Sequence, residues 1–429
     1  MKKKLENRKN NKSIIVSTLI FVITFIAMAG YLIYFNLTQA ESIINNSYNK
    51  RQGVLSRRTI RGSILSDDKT KLAVTNVDDD GNETRYYPYS GLFSHTIGYL
   101  NNGGYGLESL YGYYMLHSNQ NFFEQIGNDL SGNRNTGDNV VTTLNVGLQK
   151  ACYDALGSNR GAVIVMEPST GKILAMVSKP DFDPNTLAAN WSQITGEGSD
   201  SVLVNRATQG LYPPGSTFKL ITMLEYLREH KNDYGQYHYI CDGTYELGNN
   251  TINCVRTTAH GDVDLFSSLA VSCNCSFINI GLSLDLDRYK KTAEKMLFNK
   301  ELPTNLEYNK SRFVLNGESS EWDIAQTSFG QGKTVITPFH LALITCTIAN
   351  NGTLMEPYLV SSVESTNGMT VRKFKEEKYD TLITEKEASL LKKGMEQVVK
   401  DSFSWLFGGV EYTLAAKSGS AQYGTEGYE

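Results

Sequence analysis

Tyr212-Pro213-Pro214-Gly215-Ser216-Thr217-Phe218-Lys219 decides how this chain reads. The two prolines and the glycine force a break, and the apolar run Phe218, Leu220, Ile221, Met223 and Leu224 follows at once. That spacing predicts a helix over Thr217 to Glu229, with Ser216 at its N-terminus and Lys219 one turn on, on the same face. Unpaired N–H groups and the helix dipole favour negative charge at such an end. A lysine held beside the serine can take its proton once it is uncharged, which burial or a second nearby cation promotes. Bringing lysine from about 10.4 to 7–8 takes roughly 4 kcal/mol, within reach of a buried site. A capping serine, the commonest reason for serine at a helix start, explains the segment equally well. Ser-x-x-Lys also occurs at Ser47, Ser66, Ser169 and Ser389, in polar loops, a hairpin turn and a solvated helix face.

Further along, Ser272-Cys273-Asn274 stands inside the apolar stretch Leu265 to Leu282, which reads as helix. Polar residues need a reason there. Lys417-Ser418-Gly419-Ser420 follows the strand-like Tyr412 to Ala416, and its small residues let a ligand's backbone lie close. Either piece alone is weak, since Ser-x-Asn recurs at Ser131 and Ser365. The three in order are a rarer coincidence.

The surroundings separate into parts. Residues 37–138 are polar, Asn- and Gly-rich and β-leaning, suited to a pedestal or dimerisation-like docking module, with Gly127 to Asp138 as a linker. From Asn139 a strand (Val140 to Leu144), a helix (Leu148 to Leu156) and a hairpin (Gly161 to Met166, Lys172 to Val177) lead into the helices Thr217–Glu229, Leu265–Leu282, Pro338–Ala349 and Glu385–Lys400. The expected class is α+β, with a catalytic unit over 139–429.

Basic residues crowd positions 1–12, and Ile14 to Phe35 carries no charge. Residues 13–36 therefore read as a transmembrane anchor, with a cytoplasmic basic tail and everything after it outside. A cleaved signal peptide is the competing reading, given Ala27-Met28-Ala29, but the apolar run outlasts a signal core of about 7–15 residues. A net charge of −4 gives no electrostatic case for nucleic acid. Six cysteines outside the membrane invite disulfides, Cys241 with Cys254 foremost. Zinc would draw on Cys241, Cys254, Cys273, Cys275 and His260, but no Cys-x-x-Cys knuckle is present, so no metal and no cofactor is expected. Cys152 and Cys346 read as core.

The three motifs resemble those of penicillin-binding proteins and serine β-lactamases. With Arg61-Gly62, Gly106-Leu107-Glu108, Asn205-Arg206-Ala207, His260-Gly261, Gly330-Gln331-Gly332, Thr337-Pro338 and the anchor, the chain is similar to class B penicillin-binding proteins over nearly its whole length. The resemblance implies a peptidoglycan D,D-transpeptidase that cross-links stem peptides ending in D-Ala-D-Ala, binds β-lactams, and works beside a membrane-embedded glycan polymerase. It also implies roles: Ser216 as nucleophile, Lys219 as base, Ser272 as proton relay to the leaving amine, and Asn274 on the peptide amide. Lys417, Ser418, Gly419 and Ser420 would form the carboxylate-binding edge, and the N–H groups of Ser216 and Ser420 the oxyanion hole.

The chain departs from the family in two ways. Serine stands at 418 where threonine is usual, which keeps the hydroxyl. The family's strands after Lys417 and its closing helix are not in the sequence, so a C-terminally incomplete copy with its last strands missing is expected. Alternatives are a carboxypeptidase or β-lactamase, with water as acceptor, and a non-catalytic wall-synthesis scaffold. An anchor and a pedestal favour the transpeptidase, and the Ser216/Lys219 pair argues against the scaffold.

Overall fold

The computed structural model describes residues 2–38, 59–196 and 200–422. Ser47 and the part of the expected pedestal at 39–58 lie outside them. The helix Lys2–Thr38 contains the uncharged run Ile14–Phe35, 22 residues of mean hydropathy 2.3 with none of its surface buried against the protein. At 1.5 Å per residue that run spans the ~30 Å hydrocarbon layer. An N-terminal helix long and apolar enough to anchor the protein is therefore present.

The pedestal is organised by a six-stranded sheet in the spatial order Thr370–Lys373, Val360–Glu364, Asn139–Thr142, Ile64–Leu65, Lys71–Val77, Glu83–Tyr86. Ile64–Leu65 runs parallel to Asn139–Thr142, and Val360–Glu364 joins the latter antiparallel, with Val363 opposite Val140. The boundary expected at Asp138/Asn139 thus falls within one sheet that draws strands from both sides of it. The region read as linker contains the end of the helix Phe122–Ser131 and the strand Asn135–Thr136. Phe123, Ile126 and Leu130 recur at helical spacing there, and this outweighs the turn signal of Gly127 and Asn128.

Arg61 and Glu108 meet in the pedestal interior. Arg61 Nε and Arg85 Nε lie 2.8 Å and 2.7 Å from the two oxygens of Glu108, and all three side chains are buried. Burial alone would raise the Glu108 pKa, but the two guanidinium groups outweigh it and hold it below the usual carboxylate range.

In the catalytic unit the hairpin Gly161–Met166/Ile173–Lys179 forms as expected, with Gly161 paired to Lys179. The helix Val146–Leu156 packs on one of its strands and Pro338–Ala349 on the other. The helix Lys219–Glu229 runs through the middle of the core, and every residue from Lys219 to Leu227 is buried. Its polar side chains therefore need internal partners. Thr222 Oγ1 finds Tyr289 Oη at 2.6 Å and donates to Ser328 O at 2.8 Å; Glu225 takes Thr292 and Arg288.

Three local expectations change. The single helix expected over Leu265–Leu282 is two, Leu265–Ala270 and Asn274–Ser283. Between them Ser272 adopts a left-handed φ of +55°, and Cys273 Sγ caps the second helix by accepting from Ser276 N. Secondly, the serine-bearing helix begins with a 3₁₀ turn, Gly215–Phe218. Finally, Tyr412–Ala416 belongs to no strand among the described residues; Ala416 N donates to Met395 O at 3.1 Å.

Candidate active site

Ser216 sits inside the 3₁₀ turn, whose N-cap is Pro214, and no side chain caps that turn. Ser216 is therefore not a capping serine, and among the described residues its hydroxyl has no hydrogen-bond partner. Phe218 anchors the turn: it is buried and rings with Phe298 and Phe313, centroids 5.5 Å and 6.0 Å away.

Lys219 is completely buried. Its Nζ donates to Ser272 O at 2.8 Å and to Asn274 Oδ1 at 2.7 Å, and lies 3.2 Å from Ser272 Oγ. Lys417 Nζ reaches the same Ser272 Oγ at 2.9 Å. Burial first, and then the neighbouring Lys417 charge, push the Lys219 pKa well below its ordinary value. An uncharged amine with two donated hydrogens keeps one lone pair, which is what a general base requires. The turn at Ser272 explains this geometry. Its left-handed backbone aims both its carbonyl and its hydroxyl at one nitrogen, which an unbroken helix would not do. Asn274 is held in turn by its Nδ2, which donates to Asn253 O at 2.9 Å.

The Lys417 segment closes the groove from the other side. Gly215 has φ +56°, and a Cβ there would lie 2.6 Å from Ser420 O; a Cβ on Gly330 would lie 1.7 Å from Gly215 O. Backbone therefore packs on backbone where the serine turn, the Gly330 turn and the Ser420 segment meet, and glycine is required on steric grounds. Gly215 N donates to Gly330 O at 2.9 Å, fixing the contact. Gly419 abuts Pro214 O and Thr217, and Ser418 and Ser420 face solvent on the open side. Desolvation lowers the Lys417 pKa to about 8.

Of the eight residues picked out in the sequence, Lys219, Ser272, Asn274 and Lys417 thus meet through their side chains, and the backbone segments that carry Ser216 and Ser418–Ser420 pack against one another beside them. Sequence reasoning missed the carbonyl of Asn253, which carries no side-chain signal, and Arg85, one arginine among many. The thiols behind the groove were named in the sequence, but only as a possible disulfide and as zinc donors set aside for want of a Cys-x-x-Cys knuckle. Cys241 and Cys254, expected as a possible bridge, are free with Sγ atoms 3.7 Å apart. Cys241, Cys254, Cys273 and His260 bring their ligand atoms within 4.8 Å of one another.

A fold of this kind, with a serine beside a buried lysine and a second cation across the groove, defines a serine acyl-transfer enzyme. Residues 161–429 match the penicillin binding protein transpeptidase domain, and residues 61–140 the penicillin binding protein A dimerisation domain. The peptidoglycan D,D-transpeptidase PbpA of Mycolicibacterium smegmatis is 30% identical over 370 residues, covering 80% of this chain and 72% of that protein. PbpA of Mycobacterium tuberculosis is 32% identical over 71% of this chain and 65% of its own length. Among solved structures, the D,D-transpeptidase domain of a peptidoglycan glycosyltransferase from Eggerthella lenta superposes with a TM-score of 0.77 at 29% identity, over 86% of this chain and 88% of that one. The imipenem acyl-enzyme of M. tuberculosis penicillin-binding protein A gives 0.76 at 28%, over 85% and 87%. The chain belongs to the class B penicillin-binding proteins.

Proposed function

We propose that this protein cross-links peptidoglycan stem peptides as a membrane-anchored D,D-transpeptidase, with Ser216 as its nucleophile. The observation that carries this reading is the buried Lys219, with its amine between the Ser272 turn and Asn274 and with Lys417 across the same hydroxyl.

Ser216 Oγ attacks the carbonyl carbon of the penultimate D-alanine as its proton passes to Lys219 Nζ. The oxyanion lies against the N–H groups of Ser216 and Ser420, the former at a helix start that favours negative charge. Collapse breaks the C–N bond, and the leaving D-alanine amine takes a proton relayed from Lys219 through Ser272 Oγ. An acceptor amine then attacks the acyl-enzyme and gives its proton to Lys219, which returns it to Ser216 Oγ as the ester C–O bond breaks. Asn274 orients the peptide amide, while Lys417, Ser418 and Ser420 hold the terminal carboxylate along the edge that Gly419 leaves open. A β-lactam enters as a mimic of D-Ala-D-Ala, and its ring opening retains the leaving group.

The charge asymmetry around Ile14–Phe35 supports a cytoplasmic N-terminus and an extracytoplasmic catalytic unit. An anchor followed by a pedestal supports docking on a membrane-embedded glycan polymerase. Labelling of the full protein with a fluorescent penicillin tests the assignment. Ser216→Ala should abolish labelling with an unchanged thermal melt, and full labelling of that variant would refute it.

A further inference from the structure

Four thiols and an imidazole gather directly behind the Ser272 turn, although they come from separate segments. Cys241 ends the strand His238–Cys241, and Cys254 follows the strand Asn250–Asn253. His260 precedes Gly261–Asp264, which pairs with His238–Cys241, and Cys273 and Cys275 flank Asn274. The sulfurs of Cys241 and Cys254 are 3.7 Å apart, those of Cys254 and Cys273 3.8 Å, and Cys241 Sγ is 3.4 Å from His260 Nδ1.

These separations have a simple meaning. Tetrahedral bonds of about 2.3 Å from sulfur and about 2.0–2.1 Å from nitrogen put two sulfurs ~3.8 Å apart, and sulfur and nitrogen ~3.5 Å apart. Three of the six separations in the set match the edges of such a tetrahedron, and all four ligand atoms lie within 4.8 Å of one another. A disulfide would use two of the thiols at about 2.05 Å and leave the remaining donors converging on nothing. Plain apolar packing of thiols gives no reason to bring an imidazole nitrogen against Cys241 Sγ. The loop is built to close on this point: Arg256 and Thr257 both have positive φ, and a Cβ on Gly243 would lie 2.7 Å from Thr257 O.

We propose that Cys241, Cys254, Cys273 and His260 bind a structural zinc ion that fixes the Ser272–Asn274 turn in its working shape. Three soft thiolates and one imidazole with all four positions filled by protein are the donor set of a closed zinc site, with no place for a reacting water. Cys273 lies between Ser272 and Asn274, so a cation holding its sulfur pins the left-handed Ser272 and the Asn274 amide together. Cys275, whose Sγ is 3.4 Å from Cys254 Sγ, stays outside the set as a neighbouring thiol. The cation is thus a positioning element for acylation and takes no part in the bond changes.

Full-length protein purified in detergent under reducing conditions without chelator tests this by elemental analysis. One zinc per chain is expected, and replacement by Co²⁺ should give thiolate charge-transfer bands with tetrahedral visible bands. Cys241→Ser and His260→Ala should each weaken metal binding about ten-fold or more, while Cys346→Ser and Cys275→Ser keep it. Ser216→Ala should keep the metal while losing acylation, which separates this site from the catalytic assignment. Stripping the metal should slow fluorescent-penicillin acylation of the wild type, with recovery on adding Zn²⁺. Metal-free protein without cobalt–thiolate bands, a Cys241–Cys254 disulfide in the unreduced chain, or acylation indifferent to complete stripping would overturn the proposal. Loss of metal in Cys275→Ser would overturn the donor set.

Discussion

In the proposed mechanism, the proton that Ser216 would lose and the charge that Lys417 would keep are both set by two amines meeting at Ser272 Oγ. Burial and the Lys417 charge depress Lys219 well below its usual range, so it gives up its proton far more readily than a free lysine, while Lys417, lowered to about 8 by desolvation, stays mostly charged near neutral pH. The sign follows for each. If the proposed roles hold, acylation should rise with pH as Lys219 sheds its proton and should fall once pH passes about 8, where Lys417 loses the charge that would grip a carboxylate. A pH profile of the second-order acylation rate with a carboxylate-bearing β-lactam should therefore be bell-shaped, its alkaline limb falling about ten-fold per unit. A flat profile two units above the Lys417 value would contradict the assignment. Lys219→Arg separates charge from basicity, since guanidinium does not give up its proton. Acylation should drop by about 10²–10⁴, read from single-turnover labelling. The identity of these residues was legible from motif order alone. Their coupling was not, because nothing in Ser-Cys-Asn announces a left-handed serine whose carbonyl and hydroxyl converge on one nitrogen.

Between elements, the contact of the serine turn with the Ser420 segment is tighter than any side chain allows. Gly215→Ala introduces a carbon 2.6 Å from Ser420 O at a positive φ. The expected result is a loss of penicillin labelling far larger than the loss of thermal stability, because the groove shifts while the core around Phe218 stays packed. Labelling at wild-type rate would show that the two backbones part without consequence. The helix Glu385–Ser402 carries a capping box, with Thr384 Oγ1 accepting from Glu387 N and Glu387 accepting from Thr384 N. It packs on Leu265–Ala270, the helix that leads to Ser272. Thr384→Ala should cost about 1 kcal/mol, measured by denaturant unfolding. The span of this helix was legible in the sequence, as were the hairpin and the helix Pro338–Ala349, but its capping box was not read there. The break at Val271–Cys273 was hidden because its flanks are apolar at helical spacing, and only the tertiary pull of Lys219 and the thiol pocket distinguishes it.

At the scale of the molecule, one carboxylate shared by two arginines stands in the pedestal interior. Glu108→Gln leaves Arg61 and Arg85 buried with an uncompensated charge, a loss of roughly 3–5 kcal/mol. Thermal melting should fall markedly, while the penicillin reactivity of the protein that remains folded is unchanged per molecule; a neutral melt would mean the guanidinium groups find water. The pedestal's β character was legible from its turn-rich, alternating composition. Its true membership was not, because Val360–Glu364 and Thr370–Lys373 join it from more than two hundred residues downstream, and local pattern carries no information on such distant pairing.

That distant pairing sets an order on the birth of the protein. Asn139–Thr142 is made early, yet its neighbour on one side does not exist until Val360 has been synthesised. Throughout that interval one edge of that strand stays unpaired, and the base of the molecule is completed after the Ser216 and Ser272 segments but before the Lys417 segment that closes the groove.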